Sequence, residues 1–301
     1  MKRVVSISLG SSTRNKKQEA TILGEEFVIE RIGTDGDGEK FAAMFTELDG
    51  RVDALGVGGA DIYLVVGQKK YAFTQVLKWI SGAKKTPVVD GSGLKHTLER
   101  ETIMRLNNEG IVDFKNSTTL LVSAVDRFGM AQALSDCGGK LIFGDLAFGI
   151  GIPIAMRSYS QVRLLGSIIL PIVTKLPIQW FYPTGKQQEE RKPKYPKFFE
   201  EADIIAGDWH YIRRYGPDRM DGKTIITQTV RKADLDWLRT TGAARLITTT
   251  PEMGGETFAT NVMEGVIVAL AGKKPSEMTE ADYLDALKRL NWAPNVVDLK
   301  A

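Results

Sequence analysis

Residues 118–145 read TTLLVSAVDRFGMAQALSDCGGKLIFGD, and this stretch decides the fold. The apolar run Thr119–Ser123 predicts a short buried strand. Arg127–Cys137 predicts a helix, stopped by Gly138-Gly139. Leu141–Phe143 predicts a second strand, ending at Gly144-Asp145. The rhythm continues with strands over Asp203–Ala206, Thr224–Thr227 and Arg245–Thr249, and a helix over Lys232–Thr240. Strands alternating with helices read as βαβ units, whose crossovers build a parallel sheet covered on both faces.

Working outward, the first third mixes element types. Val4–Leu9 and Glu19–Leu23 predict strands joined by a polar turn, and Glu26–Arg31 extends the hairpin pattern. A helix over Asp37–Leu48 places Phe41, Met44, Phe45 and Leu48 on one face. Strand Val52–Val57 ends in Gly58-Gly59, helix Thr74–Ser81 follows, and strand Pro87–Val89 ends in Asp90-Gly91-Ser92-Gly93. A long helix then runs from about Leu94 to Asn107. The expected fold class is α/β. An N-terminal mixed α/β substrate domain (1–113) precedes a C-terminal Rossmann-like parallel-sheet domain (114–301) with an apolar helical insertion.

That insertion, residues 146–191, stands where a third strand of the six-strand order would fall. Its apolar core, Leu164–Val173, is followed by Trp180-Phe181-Tyr182-Pro183. Ten apolar residues are too few for a bilayer, which needs roughly 20. The segment reads as a buried helix pair or dimer contact, as a lid over an apolar substrate, or as a membrane-surface attachment. Further on, helices are expected over Thr257–Ala271 and from Thr279, an N-cap with Asp282 three residues on.

Composition narrows the function classes. Lys and Arg number 40 against 37 Asp and Glu, well mixed along 301 residues, so no basic stripe points to nucleic acid. One cysteine, Cys137, excludes an internal disulfide framework, and two histidines are too few for a His/Cys zinc cluster, so no metal is expected. The N-terminal Val4–Leu9 run reads as a strand and not as a signal peptide, which sets a cytoplasmic expectation. The expected partner is a small-molecule substrate, with no integral membrane span and a possible homodimer.

In such sheets ligands bind beyond the carboxyl ends of the strands, where strand order reverses, and that rule selects the candidate residues. The turn Ser123–Gly129 occupies the phosphate-binding position, giving Ser123, Val125, Asp126, Arg127, Phe128 and Gly129 as cofactor candidates. Asp126 stands where a glycine is usual. It reads either as part of a phosphate turn assisted by Arg127 or as a helix N-cap. Asp145, about 20 residues beyond the turn, suits an adenosine ribose and favours NAD over NADP. Thr229 and Thr250 lie at later strand ends, facing the same crevice. Asp208 and His210 form a candidate acid/base pair, and Arg213 a carboxylate clamp. In the first domain, Lys95 is a candidate proton carrier, with Asp90, Ser92 and (in the C-terminal helical region) Asn261 as substrate contacts.

Three stretches carry a resemblance: Thr-Pro-Val-Val-Asp-Gly-Ser-Gly-Leu-Lys (86–95), Ser-Ala-Val-Asp-Arg-Phe-Gly-Met (123–130) and Gly-Asp-Trp-His-Tyr-Ile-Arg-Arg-Tyr (207–215). With them the chain resembles the quinate/shikimate 5-dehydrogenase group, specifically a bacterial branch bearing that label by similarity. The resemblance implies hydride transfer between NAD and a small hydroxy or oxo acid in an inter-domain cleft, with Lys95 as the catalytic lysine. Asp126 in the phosphate turn argues instead for a non-redox nucleotide- or metabolite-binding protein. A ribose carboxylate at Asp145 serves an adenosyl-cofactor transferase equally well.

Overall fold

A computed structural model describes residues 1–67, 69–180, 191–228, 230–250, 252–253, 256–257 and 259–299. The chain opens with β1 (Lys2–Ser8), β2 (Lys16–Ile22), β3 (Glu25–Gly33), α1 (Gly38–Leu48), β4 (Ala54–Gly58), β5 (Tyr63–Val66), β6 (Lys69–Ala72), α2 (Thr74–Ile80) and β7 (Val88–Val89). The first sheet has the order β2-β3-β1-β4-β7 and is parallel except for β2. The hairpin pattern needs one correction. β2 pairs with β3, and β3, not β2, lies beside β1 in parallel. The reason is burial: β1 is buried along most of its length, whereas β2 is largely exposed and suits only an edge. Leu23 and Gly24, both at positive φ, make the tight two-residue turn that closes the β2–β3 hairpin.

The long helix expected after β7 is divided. α3 (Ser92–Leu94) runs through one π-helical turn, Lys95–Glu99, into α4 (Arg100–Asn108). Next come β8 (Thr118–Leu121), α5 (Phe128–Cys137), β9 (Lys140–Phe143), a π turn at Asp145–Gly149, α6 (Tyr159–Val173), α7 (Pro196–Glu201), β10 (Ile204–Ala206) and α8 (Trp209–Tyr215). β11 (Thr224–Thr227), α9 (Lys232–Thr240), β12 (Arg245–Thr248), a short β13–β14 hairpin (Glu252–Met253, Glu256–Thr257), α10 (Thr260–Ala271), α11 (Glu280–Arg289) and β15 (Asn295–Asp298) complete the chain. The second sheet runs β15-β12-β11-β10-β8-β9, with only β15 antiparallel. The protein is therefore a mixed α/β chain with two parallel-sheet, doubly wound units. β9 is an edge strand, and the excursion that holds α6 replaces the strand that would lie outside it.

The central strands of both sheets are buried on both faces. Val5 and Ile7 face a core with Phe41 and Phe45, while Val4 and Ile29 face Val266, Ile267 and Leu287. α10 and α11, from the second half of the sequence, thus pack on the first sheet. We propose the division at 113/114 for the two sheets only, with these helices returning to the first. In the second sheet Leu121 and Phe143 join the core around α5, and Leu120, Ile142 and Ile205 join the one around Phe199, Ile212 and Leu238.

α6 is set by Ser158, whose hydroxyl accepts from Gln161 N–H while the Gln161 side chain returns to the cap, a full capping box. Val162, Gly166 and Leu170 are its buried face, and Leu164, Ile168 and Ile172 are exposed. Among the described residues no helix is long and apolar enough to cross a membrane. Residues Phe181-Tyr182-Pro183 lie outside the described part.

Candidate functional site

The strand tips of the two sheets meet at Lys95. Its ammonium donates to Asp61 Oδ1, beyond β4, at 2.6 Å and to Asp126 Oδ1, beyond β8, at 3.0 Å. One largely buried cation thus joins the first sheet to the second. The backbone reaches this position because Gly91 takes a left-handed conformation (φ 89°), strained for any other residue. Glu264 of α10 holds the turn by accepting the Gly91 N–H at 2.6 Å, the Gly93 N–H at 3.1 Å and the Tyr283 hydroxyl at 2.7 Å.

Beside Lys95, the guanidinium of Arg127 is buried against three carboxylates from three elements. It donates to Glu99, to Asp126 Oδ2 at 3.1 Å and to Asp208 Oδ2 at 2.8 Å. Arg127 therefore fills the crevice between β8 and β10, where strand order reverses. Burial pushes the Asp126 carboxyl up, but Lys95 and Arg127 outweigh it and hold it well below the usual range. Burial raises Asp61 to about 7, opposed by Lys95 and reinforced by Asp126 and Asp90. Burial raises Glu99 as well, with Arg127 opposing.

Asp145 follows β9, the edge strand, and turns back on the neighbouring strand tip. Its Oδ1 accepts the backbone N–H groups of Ala124 at 2.8 Å and Val125 at 2.9 Å. Its Oδ2 is buried and has no hydrogen-bond partner among the described residues. Burial raises this carboxyl to about 6, with the Val125 and Ala124 N–H groups opposing.

The Asp145 residue lines a cavity of about 100 Å³. Its walls are aliphatic: Val162, Leu165, Ile169 and Leu170 from α6, Leu64 from β5, and Val125. Its polar lining is Ser123, Asp126, Asp145 and Tyr211. Burial, then Asp126, pushes the Tyr211 phenol well up, so its hydroxyl keeps its proton. A smaller niche shares Val125 and Asp126 and is bordered by Tyr63, Ser92, Lys95 and His96.

The expected residues divide cleanly. Ser123, Val125, Asp126 and Asp145 line the cavity, and Lys95, Arg127 and Asp208 form the ionic network behind it. Asp208 caps α8 by accepting the His210 backbone N–H, and among the described residues no hydrogen bond orients the exposed imidazole. Asp90 accepts from Ile62, Tyr63 and Ser92 N–H groups. Asn261 is buried and donates to Ser6 Oγ at 2.7 Å. Arg213 stacks on Trp237, 4.2 Å from the ring centroid, away from the cavity. Phe128 packs on Tyr159, and a Cβ on Gly129 would lie 2.5 Å from the His96 carbonyl oxygen, so that glycine serves helix packing. Thr250 is buried beyond β12 and borders neither cavity nor niche. Thr229 lies outside the described residues. Reading the sequence missed Asp61, Glu99 and Tyr211 as site members. Asp61 was visible as the acid ending a glycine turn, and Glu99 as one helical turn beyond Lys95.

A family model described as Domain of unknown function (DUF8754) matches residues 93–299. The chain belongs to that family. A second model, Domain of unknown function (DUF8753), matches residues 3–90. No curated protein matches the chain. Similar solved structures include a glutamate dehydrogenase from Thermus thermophilus, at 14% identity over 96% of this chain and 74% of that one, TM-score 0.42. A sugar ABC transport substrate-binding protein from Bordetella parapertussis 12822 shows 11% identity over 99% and 89%, TM-score 0.37. A periplasmic solute-binding protein from Actinobacillus succinogenes 130z with bound D-allose shows 11% over 99% and 98%, TM-score 0.37. At these TM-scores the likeness carries no argument about ligand or compartment.

The dehydrogenase expectation is corrected. The models that match describe families of unknown function, neither of them quinate/shikimate dehydrogenases, and no curated dehydrogenase matches. The NAD expectation goes with it, and the turn supplies the physical reason. A pyrophosphate needs free backbone N–H groups, yet those of Ala124 and Val125 are taken by Asp145, and Asp126 adds like charge. The oxidoreductase reading of Lys95 and His210 falls for the same reasons.

Proposed function

We propose that this member of DUF8754 is a non-redox small-molecule-binding protein, with its site in the cavity between α6 and the tips of β8 and β9. One observation carries the reading: aliphatic walls converge on a few polar groups at parallel strand ends, the arrangement usual for small-ligand pockets. α6 acts as the wall of the site. Lys95, Arg127, Glu99 and Asp208 hold the polar side rigid. A preformed, mostly apolar pocket gains affinity from burial and selectivity from its few polar atoms.

The test is equilibrium dialysis of the protein against a metabolite extract of cells, followed by mass analysis of what the protein concentrates. Leu165→Trp, which fills the cavity from α6, serves as the control. The reading expects a small molecule concentrated by the wild type and lost from the variant. Identical profiles for the two proteins would overturn it.

A further inference from the structure

The lining of the proposed binding cavity also selects the class of molecule it takes, an inference that rests on the cavity being a binding site. Among the described residues, every polar side chain on that lining carries a carboxylate or a hydroxyl: Asp126, Asp145, Ser123 and Tyr211. No cationic side chain among the described residues borders it. Behind the lining, Lys95 and Arg127 face four carboxyl groups, from Asp61, Glu99, Asp126 and Asp208. Both cations are thus already engaged, and both Asp126 oxygens are occupied by them. Asp145 is a fifth carboxyl group with no cation in contact among the described residues. A buried carboxylate oxygen without a donor is costly, and a ligand's charged donor removes that cost.

We propose that the cavity takes a small primary amine with a compact apolar body, its ammonium group paired with Asp145. The remaining polar groups complete the head site, since the Ser123 and Tyr211 hydroxyls can accept from an ammonium as well as donate. An anionic ligand meets two carboxylates and no counter-charge, so carboxylates and phosphates are refused. The body is short. A cavity of about 100 Å³ is two thirds of the roughly 150 Å³ one that holds benzene, which leaves space for about four non-hydrogen atoms, the nitrogen included.

The test uses three molecules with one carbon skeleton: propylamine, propan-1-ol and propanoate. Calorimetric titration of the full chain at pH 8 should show the amine binding about tenfold or more tighter than the alcohol, with no binding of the carboxylate. Asp145→Asn keeps an acceptor for Ala124 and Val125 and should bring amine and alcohol to within about threefold of each other. Affinity for the amine should also rise from pH 5 to pH 7 as the carboxyl ionises. An alcohol that binds as tightly as the amine, or a carboxylate that binds at all, overturns the amine assignment. If such binding is lost in Leu165→Trp, the cavity still stands as the site. If none of the three binds, the amine assignment falls, and the dialysis comparison separately decides the fate of the site.

Discussion

Asp90 and Asp145 occupy matching places in the two halves of the molecule. Each follows an edge strand, β7 or β9, and each reaches back to clamp two backbone N–H groups just beyond the neighbouring strand, β4 or β8. The difference lies in the second oxygen. Asp90 spends it on the Ser92 N–H, at 2.9 Å, so the carboxylate is saturated. Asp145 leaves it buried and unpaired among the described residues, on a residue that lines an apolar cavity. The same local device is structural in the first half and able to bind in the second. What separates the two is what packs over the tip: the α3 turn over Asp90, and α6 with a gap beneath it over Asp145.

The largest expected effect tests whether the two rims are tied together. Lys95→Met leaves Asp61 and Asp126 buried without their shared cation and should cost about 3–5 kcal/mol in urea unfolding at pH 8. The cost should shrink at pH 5, where Asp61, raised to about 7, is neutral. A loss under about 1 kcal/mol at pH 8 would mean that the halves are held by other contacts. Next, Asp90→Ala strips three N–H groups of their acceptor and should cost roughly 3 kcal/mol. Asp145→Asn should cost less than about 1 kcal/mol, because its amide oxygen still accepts two bonds. Reversal of that order would make Asp145 the structural clamp.

The third effect lies on the Asp90 side. Burial, then Asp90, raises Glu264 to about 7, while the Tyr283, Gly91 and Gly93 donors oppose. A carboxyl raised on folding binds protons more tightly in the native state, so its contribution is complete below about pH 4.5 and is lost as pH rises through about 7. Relative to Glu264→Gln, the wild type should therefore lose roughly 2–3 kcal/mol between pH 4.5 and pH 8. A flat difference would show that Glu264 titrates normally. The smallest effect belongs to His210→Ala. An exposed imidazole with no role in the cavity should change stability by less than about 0.5 kcal/mol and leave ligand binding as it was.

Much of the architecture was legible because burial on both faces forces a continuous apolar strand. Thr119–Ser123, Leu141–Phe143 and Thr224–Thr227 announce parallel neighbours in that way. The β1–β3 pairing was not, since a strand's pattern tells how many faces are buried and not which strand lies beside it. Within the site, Asp126, Asp145 and Arg127 were legible as strand-end residues, but their partners were not. Nothing local to Asp145 shows that the Ala124 and Val125 N–H groups fall within 3 Å of it. The resemblance to dehydrogenases failed at the same place: shared turns indicate a fold, whereas the chemistry depends on whether the turn's amides are free.

By itself the sequence determined the alternation of strands and helices, the strand ends where polar residues collect, and the Thr279 cap that starts α11, because these depend on neighbours a few residues apart. Only the tertiary structure decided that Lys95 bridges two sheets, that Arg127 fills the strand-order crevice, and that one buried oxygen of Asp145 stays unpaired among the described residues. Those outcomes are settled by burial and charge pairing among residues from 20 to 81 positions apart, where a displacement of a few ångströms turns a satisfied carboxylate into a binding group.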